Sequence, residues 1–162
     1  MTVEAKLKAL EDRVRDLEDQ GQIREVLARY GFNADLGRSQ EWVDLWTGDG
    51  VYDLDSRKWT GREQLHELIA SPTEPHKRDV ENRSQHNVLN LFIRIEGDRA
   101  WAEGYSVVVL NKDGQFGLWT CGYNHWDFER HDGQWLLQRR YRRDIGGKEW
   151  GGKVISSYLT AK

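Results

Sequence analysis

Apolar residues recur through the first seventeen positions at spacings of four and three: Val3, Leu7, Leu10, Val14 and Leu17. That is a heptad seam on one face of a helix. Glu, Lys, Asp and Arg fill most other positions. A seam this short does not sustain an isolated coiled coil. The spacing therefore predicts a helical extension over about 1–20, packed on the body of the domain or on another subunit, the first reading being favoured. Gly21 is expected to bend or break it. A second amphipathic run has Ile23, Val26, Leu27 and Tyr30 on one face and ends near Leu36-Gly37, where glycine suits a helix C-terminus. Ser39 reads as the N-cap of a short helix carrying Trp42, Val43, Leu45 and Trp46. Asp49-Gly50 marks a turn, and Val51-Tyr52-Asp53-Leu54 a short strand. Trp59-Thr60-Gly61-Arg62-Glu63 opens another helix, with Leu65, Leu68 and Ile69 on its buried face. Thr60 is its expected cap, and Glu63 would complete a capping box.

From residue 82 the period changes to that of strands. Four long segments are expected, at about 83–96, 99–111, 116–130 and 134–146. Glu96-Gly97-Asp98, Asn111-Lys112-Asp113-Gly114 and His131-Asp132-Gly133 separate them as hairpin signals. Helices first and an antiparallel meander afterwards give an α+β architecture, with helices on one face of a curved sheet. No repeat or domain boundary interrupts the 162 residues, so a single domain is expected. The glycine-rich stretch from Gly146 onward is expected to be a mobile tail draped over a pocket mouth.

Composition narrows the class. The net charge is -3, with no block of like charge, which speaks against nucleic acid or an anionic membrane as partner. No run is long enough to span a bilayer, and Met1-Thr2-Val3-Glu4-Ala5-Lys6 lacks the apolar core of a signal peptide. The single cysteine, Cys121, excludes an intrachain disulfide, so a cytoplasmic setting is expected. Trp is unusually frequent, at 8 residues, and most are expected in the core or at an interface.

Two residues carry candidate chemistry. Asp35 ends the second helical run, and His86 opens the first long strand. A carboxylate that orients an imidazole makes a general base usable near neutral pH. With His86 facing inward, strand alternation puts Val88, Asn90 and Phe92 on the same face. Ala102, Gly104, Ser106 and Val108 would face inward from the next strand, leaving room for a ligand. Trp101, Tyr105, Val107 and Val109 would take the other face. A single bulge would invert part of this. His125 and His131 read as surface or turn residues, His66 as helical and His76 as part of a loop. No two histidines have the spacing of a metal site with a carboxylate, so no metal is expected. There is no phosphate-binding glycine loop and no nucleophile elbow.

Three stretches resemble the SnoaL-like, or nuclear transport factor 2-like, domains. Ile23-Arg24-Glu25-Val26-Leu27-Ala28-Arg29-Tyr30 leads to Asp35. Trp46-Thr47-Gly48-Asp49-Gly50-Val51-Tyr52 enters the first strand. Phe128-Glu129-Arg130-His131-Asp132-Gly133-Gln134-Trp135-Leu136-Leu137 matches the closing hairpin. The resemblance implies a cone-shaped α+β barrel with an apolar cavity inside the curved sheet. Relatives include dehydratases, dehydrochlorinases, isomerases, cyclases, epoxide hydrolases and non-catalytic subunits, so the fold alone does not set the function. The placement of Asp35 and His86 is most similar to lyases of the bile acid 7-alpha-dehydratase, hexachlorocyclohexane dehydrochlorinase and scytalone dehydratase types.

Residue by residue, the resemblance implies an Asp35–His86 dyad, with Tyr30 a polar and Arg140 a basic pocket residue. Tyr52, Val88, Asn90, Ser106 and Val108 are then the expected substrate-binding set. The chain departs from its relatives in two places. Some dehydratases carry an extra acid on the second long strand, where this chain has Ser106-Val107-Val108-Val109-Leu110, the nearest acid being Glu103. The dehydrochlorinase type has lysine where Tyr30 stands. The expectation is a cofactor-independent lyase that removes a C–H proton from a small apolar molecule. An isomerase or cyclase using the same base is the alternative, as is a non-catalytic carrier or assembly subunit. Related lyases suggest a homo-oligomer, a trimer built through the sheet.

Overall fold

The computed structural model describes residues 1–55 and 57–147. The expected tail falls outside these from residue 148 onward.

Helix α1 runs unbroken from Val3 to Asp35. Its first turn is capped by Thr2, whose hydroxyl accepts from the Ala5 amide at 3.2 Å. Gly21 does not break it. A helical glycine costs only about 1 kcal/mol against alanine, and the residues either side of it are docked. Asp19 accepts two hydrogen bonds from Arg130, at 2.8 and 2.6 Å, and one from the Trp135 indole at 3.0 Å. The Arg130 guanidinium also lies over the Trp135 ring, 4.3 Å from its centroid. Ile23 follows, fully buried, and Leu27, Tyr30 and Ala34 continue that face. The seam before Asp19 behaves differently. Val3, Leu7, Leu10, Val14 and Leu17 are all exposed, so the extension does not pack on the body as favoured from the sequence.

The next elements differ from expectation at their ends. Helix α2 spans Ser39–Val43 only, and Ser39 is its first residue, not its cap. The Ser39 hydroxyl instead meets His66 Nε2 at 2.9 Å. Trp46 starts strand β1, Trp46–Leu54, and Asp49-Gly50 lies inside it. The pairing of β1 with the last strand slips between Trp46 and Val51, so the turn signal marks an irregularity within a strand. Strand β2, Arg57–Thr60, was not legible: of its four residues only Trp59 turns inward. Helix α3 follows at Gly61–Ala70, without a side-chain cap from Thr60. Gln64 closes this end instead, its side-chain oxygen accepting from the Thr60 amide at 2.8 Å. A single π-type turn, His76–Val80, leads into the meander.

Strands β3 (Ser84–Glu96), β4 (Arg99–Lys112), β5 (Gln115–His131) and β6 (Gln134–Asp144) agree closely with the sequence reading. Asp113-Gly114 and Asp132-Gly133 take positive φ at both positions, as two-residue hairpins of the tightest type require. The sheet order is β2-β1-β6-β5-β4-β3. All neighbours are antiparallel except β1 and β6, which run parallel. The sheet is curved but unclosed, with β2 and β3 as its edges, so it is not the full barrel the resemblance implied. Register slips in the β3–β4, β4–β5 and β5–β6 pairings bend the long strands.

The core lies between the helices and the sheet. Trp42, Trp46, Trp59, Trp126 and Trp135 all belong to it, as the tryptophan content led us to expect. Tyr30, Trp42, Trp46, Tyr52 and Trp59 form a continuous aromatic row, each ring 5.0–6.4 Å from the next. Such tilted contacts add to simple area burial. No helix among the described residues is long and apolar enough to cross a membrane.

Asp19 is the joint that fixes α1 to the β5–β6 hairpin. Asp19→Ala leaves the Trp135 N–H without its acceptor and Arg130 with only its Asp98 contact, and should lower unfolding stability by about 1–3 kcal/mol, read from urea denaturation. An unchanged midpoint would show that the joint contributes nothing.

Candidate active site

Asp35 is the last residue of α1, and His86 is the third residue of β3. The two elements meet because Gly31 has no side chain. A Cβ there would lie 3.3 Å from the His86 Cβ and 3.4 Å from its carbonyl oxygen. Helix α1 therefore lies close enough to β3 for the Asp35 carboxylate to reach three donors. His86 Nδ1 is 2.6 Å from Oδ1, the Ser84 hydroxyl donates to Oδ1 at 2.5 Å, and the His86 amide donates to Oδ2 at 3.0 Å. Burial pushes the Asp35 carboxyl up, but the His86 and Ser84 bonds, the His86 ring and its amide together hold it below its ordinary value. An ionised Asp35 selects the tautomer with the proton on Nδ1, which leaves the Nε2 lone pair open.

His86 lines a cavity of about 500 Å³ together with Tyr30, Ala34, Tyr52, Leu54, Trp59, Leu68, Ile69, Val108 and Arg140. Its rim is polar: Arg57 pairs with Glu74 at 2.6 Å and Arg142 with Asp144 at 2.8 Å. A second recess of about 410 Å³ shares Tyr30, His86 and Arg140 and adds Asp35, Val88, Ser106 and Trp126. Four of the expected substrate-binding residues thus reach one recess or the other: Tyr52, Val108, Val88 and Ser106.

Asn90 does not. A bulge between Leu89 and Phe92 inverts the strand parity, Asn90 takes φ 53°, and its side chain is exposed. Beyond the bulge, Leu91, Ile93 and Ile95 pack on the core, while Phe92 is exposed. The bulge also fills the room expected over Gly104, where a Cβ would sit 2.8 Å from the Leu89 carbonyl oxygen. Ala102 is likewise taken by the core, so only Ser106 and Val108 of the small inward set face a recess. Glu103 is buried on the opposite face of β4, bonded to His125 Nδ1 at 2.8 Å. His125 is not a plain surface residue: its Nε2 is also 2.9 Å from Asp127.

Arg140 is 5% exposed and has no ion pair among the described residues. Its Nε donates to Asn124 at 2.9 Å, and its Nη1 donates to the Tyr30 hydroxyl oxygen. Asn124 in turn donates to the Ser106 hydroxyl at 2.8 Å. The guanidinium carbon lies 4.8 Å from the centroids of both Tyr30 and Tyr52. Aromatic faces and neutral oxygens therefore take the place of a countercharge. Burial pushes the Tyr30 phenol above its ordinary value despite Arg140, so it stays protonated. Because Arg140 supplies the bond to its oxygen, the Tyr30 proton is free for another acceptor.

His76 was missed by the sequence reading. It lies on the π-type turn and lines the larger cavity, its ring centroid 6.5 Å from that of His86. Burial, then the nearby His86, push it down to about 4, so it is neutral near pH 7. Its signal is spatial and not sequential, because ten residues separate it from His86. No group of three His, Cys, Asp or Glu converges as a metal site would among the described residues.

Two tests bear on this geometry. Gly31→Val should force α1 off β3, lengthen the Asp35–His86 contact and lower stability, read from the histidine ring NMR signals and thermal unfolding. Retention of the wild-type signals would show that the close approach is not needed. The Asp35 shift has a definite sign. A carboxyl held below its ordinary 3.8 stabilises the fold above that pH and loses the effect as pH falls through its folded value. The stability gap between wild type and Asp35→Asn should therefore be open at pH 7 and narrow below pH 3.8.

The comparisons agree with this architecture. The SnoaL-like domain model matches residues 15–141. An NTF2-like protein with a cystatin-like fold from Novosphingobium aromaticivorans is 31% identical, with TM-score 0.82, covering 96% of this chain and 97% of its own. A protein of unknown function from Mycobacterium tuberculosis is 25% identical, with TM-score 0.73, over 80% of this chain and 73% of its own. A Novosphingobium aromaticivorans protein provisionally named scytalone dehydratase shares the fold at 18% identity and TM-score 0.67, over 80% and 85% of the two chains. The search of curated proteins gave no match. Matched over most of its length, with the helix-backed sheet and the cavity in place, the chain belongs to the SnoaL-like domain family of the nuclear transport factor 2-like superfamily.

Proposed function

We propose that this protein is a cofactor-independent lyase of the dehydratase or dehydrohalogenase type, with His86 as general base. One observation carries the reading. An imidazole fixed through Nδ1 by a half-buried carboxylate, 2.6 Å away, lines a largely apolar cavity big enough for a small organic molecule. Nε2 takes a proton from carbon. The C–H electrons form the new double bond, and the neighbouring carbon–oxygen or carbon–halogen bond breaks. Asp35 keeps the ring oriented and stabilises the imidazolium that forms.

Arg140 and Tyr30 supply the second half of the step. A cation held among aromatic rings and neutral oxygens, beside a phenol with a spare proton, favours negative charge developing on a leaving group or carbonyl oxygen. Tyr52, Val88, Ser106 and Val108 form the walls of the binding site. His76 offers an uncharged donor or acceptor for a polar substituent on an otherwise apolar substrate.

The same base and donors would serve an isomerase or cyclase, and product mass separates the classes. A lyase product is lighter than substrate by water or hydrogen halide, whereas an isomerase product has the same mass. The test is a panel of β-hydroxycarbonyl and halogenated cyclic compounds, each deuterated at the labile carbon. Turnover should show a primary isotope effect and fall on the order of 10²–10⁴-fold in His86→Ala, with a substantial loss in Asp35→Asn. Turnover that survives both substitutions would remove this mechanism. Tight binding without turnover across the panel would favour the carrier reading.

A further inference from the structure

The first eighteen residues of the chain stand clear of the body. All are exposed but Asp12, which is half-buried, and the first buried residue of α1 is Asp19. The helix nevertheless carries an apolar seam with nothing against it among the described residues. Numbered as a heptad, Leu7 and Val14 occupy the first core position, a, and Val3, Leu10 and Leu17 the second, d. Asp19 then falls at f, the position diametrically opposite the seam. Since Asp19 is the residue that grips Arg130 and Trp135, the seam points away from the chain's own body. It ends where the body begins, because the next core positions are Gly21 and Arg24.

Flanking charges name the occupant. The residues just after each d position, at e, are Glu4, Glu11 and Glu18. Those just before each a position, at g, are Lys6, Arg13 and Gln20. In a parallel pair, g of one helix meets e of the next heptad on the other. Lys6 would then face Glu11 of a second copy, and Arg13 would face Glu18, twice over by symmetry. An antiparallel pair would instead set Glu against Glu and Lys or Arg against its like. Val14 at a, with Leu10 and Leu17 at d, favours two strands. The extension is an outgrowth of a helix already docked through Ile23, Leu27 and Tyr30, so its nucleation does not burden the contact, which lets a short seam suffice.

We infer that residues 3–18 form a parallel two-stranded coiled coil with the same segment of a second copy of this chain. This contact is independent of the chemistry proposed for the cavity.

Val3→Cys in a Cys121→Ser background tests it on the full-length protein. Parallel pairing brings the two introduced thiols together at d, so diamide should give a covalent dimer on a non-reducing gel. Adding Leu10→Asp should lower its yield by about tenfold or more. Glu11→Lys/Glu18→Lys and Lys6→Glu/Arg13→Glu should each lower it alone and restore it when mixed. Circular dichroism and tryptophan fluorescence confirm that each variant keeps its body. No covalent dimer, a dimer indifferent to Leu10→Asp, or preferential linkage of the Val3→Cys chain to a Leu17→Cys chain would each overturn the inference.

Discussion

One carboxylate holds the end of α1 to the start of β3. Asp35 accepts from the Ser84 hydroxyl, the His86 amide and the His86 ring, and its own carbonyl accepts from the Asn82 amide at 2.7 Å. These bonds tie a helix terminus, a turn and a strand into one joint. They also explain why the joint is a candidate base. A half-buried carboxylate needs donors, and a histidine ring can meet that need through one nitrogen while its other nitrogen stays available. The half-buried setting is what gives the pair consequence, because the same contact in open water would be worth little.

Arg140 is the second constraint on the cavity. A guanidinium without a carboxylate partner is costly to bury unless something spreads its charge. Here Tyr30 and Tyr52 offer ring faces, and Tyr30 and Asn124 offer oxygens. The aromatic row from Tyr30 to Trp59 is therefore a hydrophobic core on one side and a cation-stabilising wall on the other. Both demands fall on Tyr30, which faces Trp42 and Arg140 together. That coupling accounts for a candidate cavity that shares Tyr30, Tyr52 and Trp59 with the core.

Much of this was legible in the sequence because it depends on period and local chemistry. The four long strands, the Asp-Gly hairpins, the amphipathic run ending at Asp35 and the buried tryptophans all follow from such signals. What escaped depends on distant partners. Gly21 reads as a breaker until Asp19 is seen bonded to Arg130, more than a hundred positions away. The parity of β3 is regular until the bulge at Leu89, and Asn90 changes face with it. His76 gains its place only when the π-type turn folds over the cavity. Gly31 carries no signal of its own in the sequence, yet its missing side chain sets the spacing between Asp35 and His86.

Helix α1 carries both the exposed seam and the candidate chemistry, and the order of features along it keeps the two separate. The seam ends at Leu17, the anchor sits at Asp19, and Tyr30 and Asp35 follow. From Asp19 to Asp35 the helix rises about 24 Å, at 1.5 Å per residue. A rigid rod would transmit any displacement of its free end along that length. Asp19 opposes this, because its bidentate contact with Arg130 ties the rod to the sheet before the buried section begins. The seam therefore lies outside the section of α1 whose close approach at Gly31 brings Asp35 to His86.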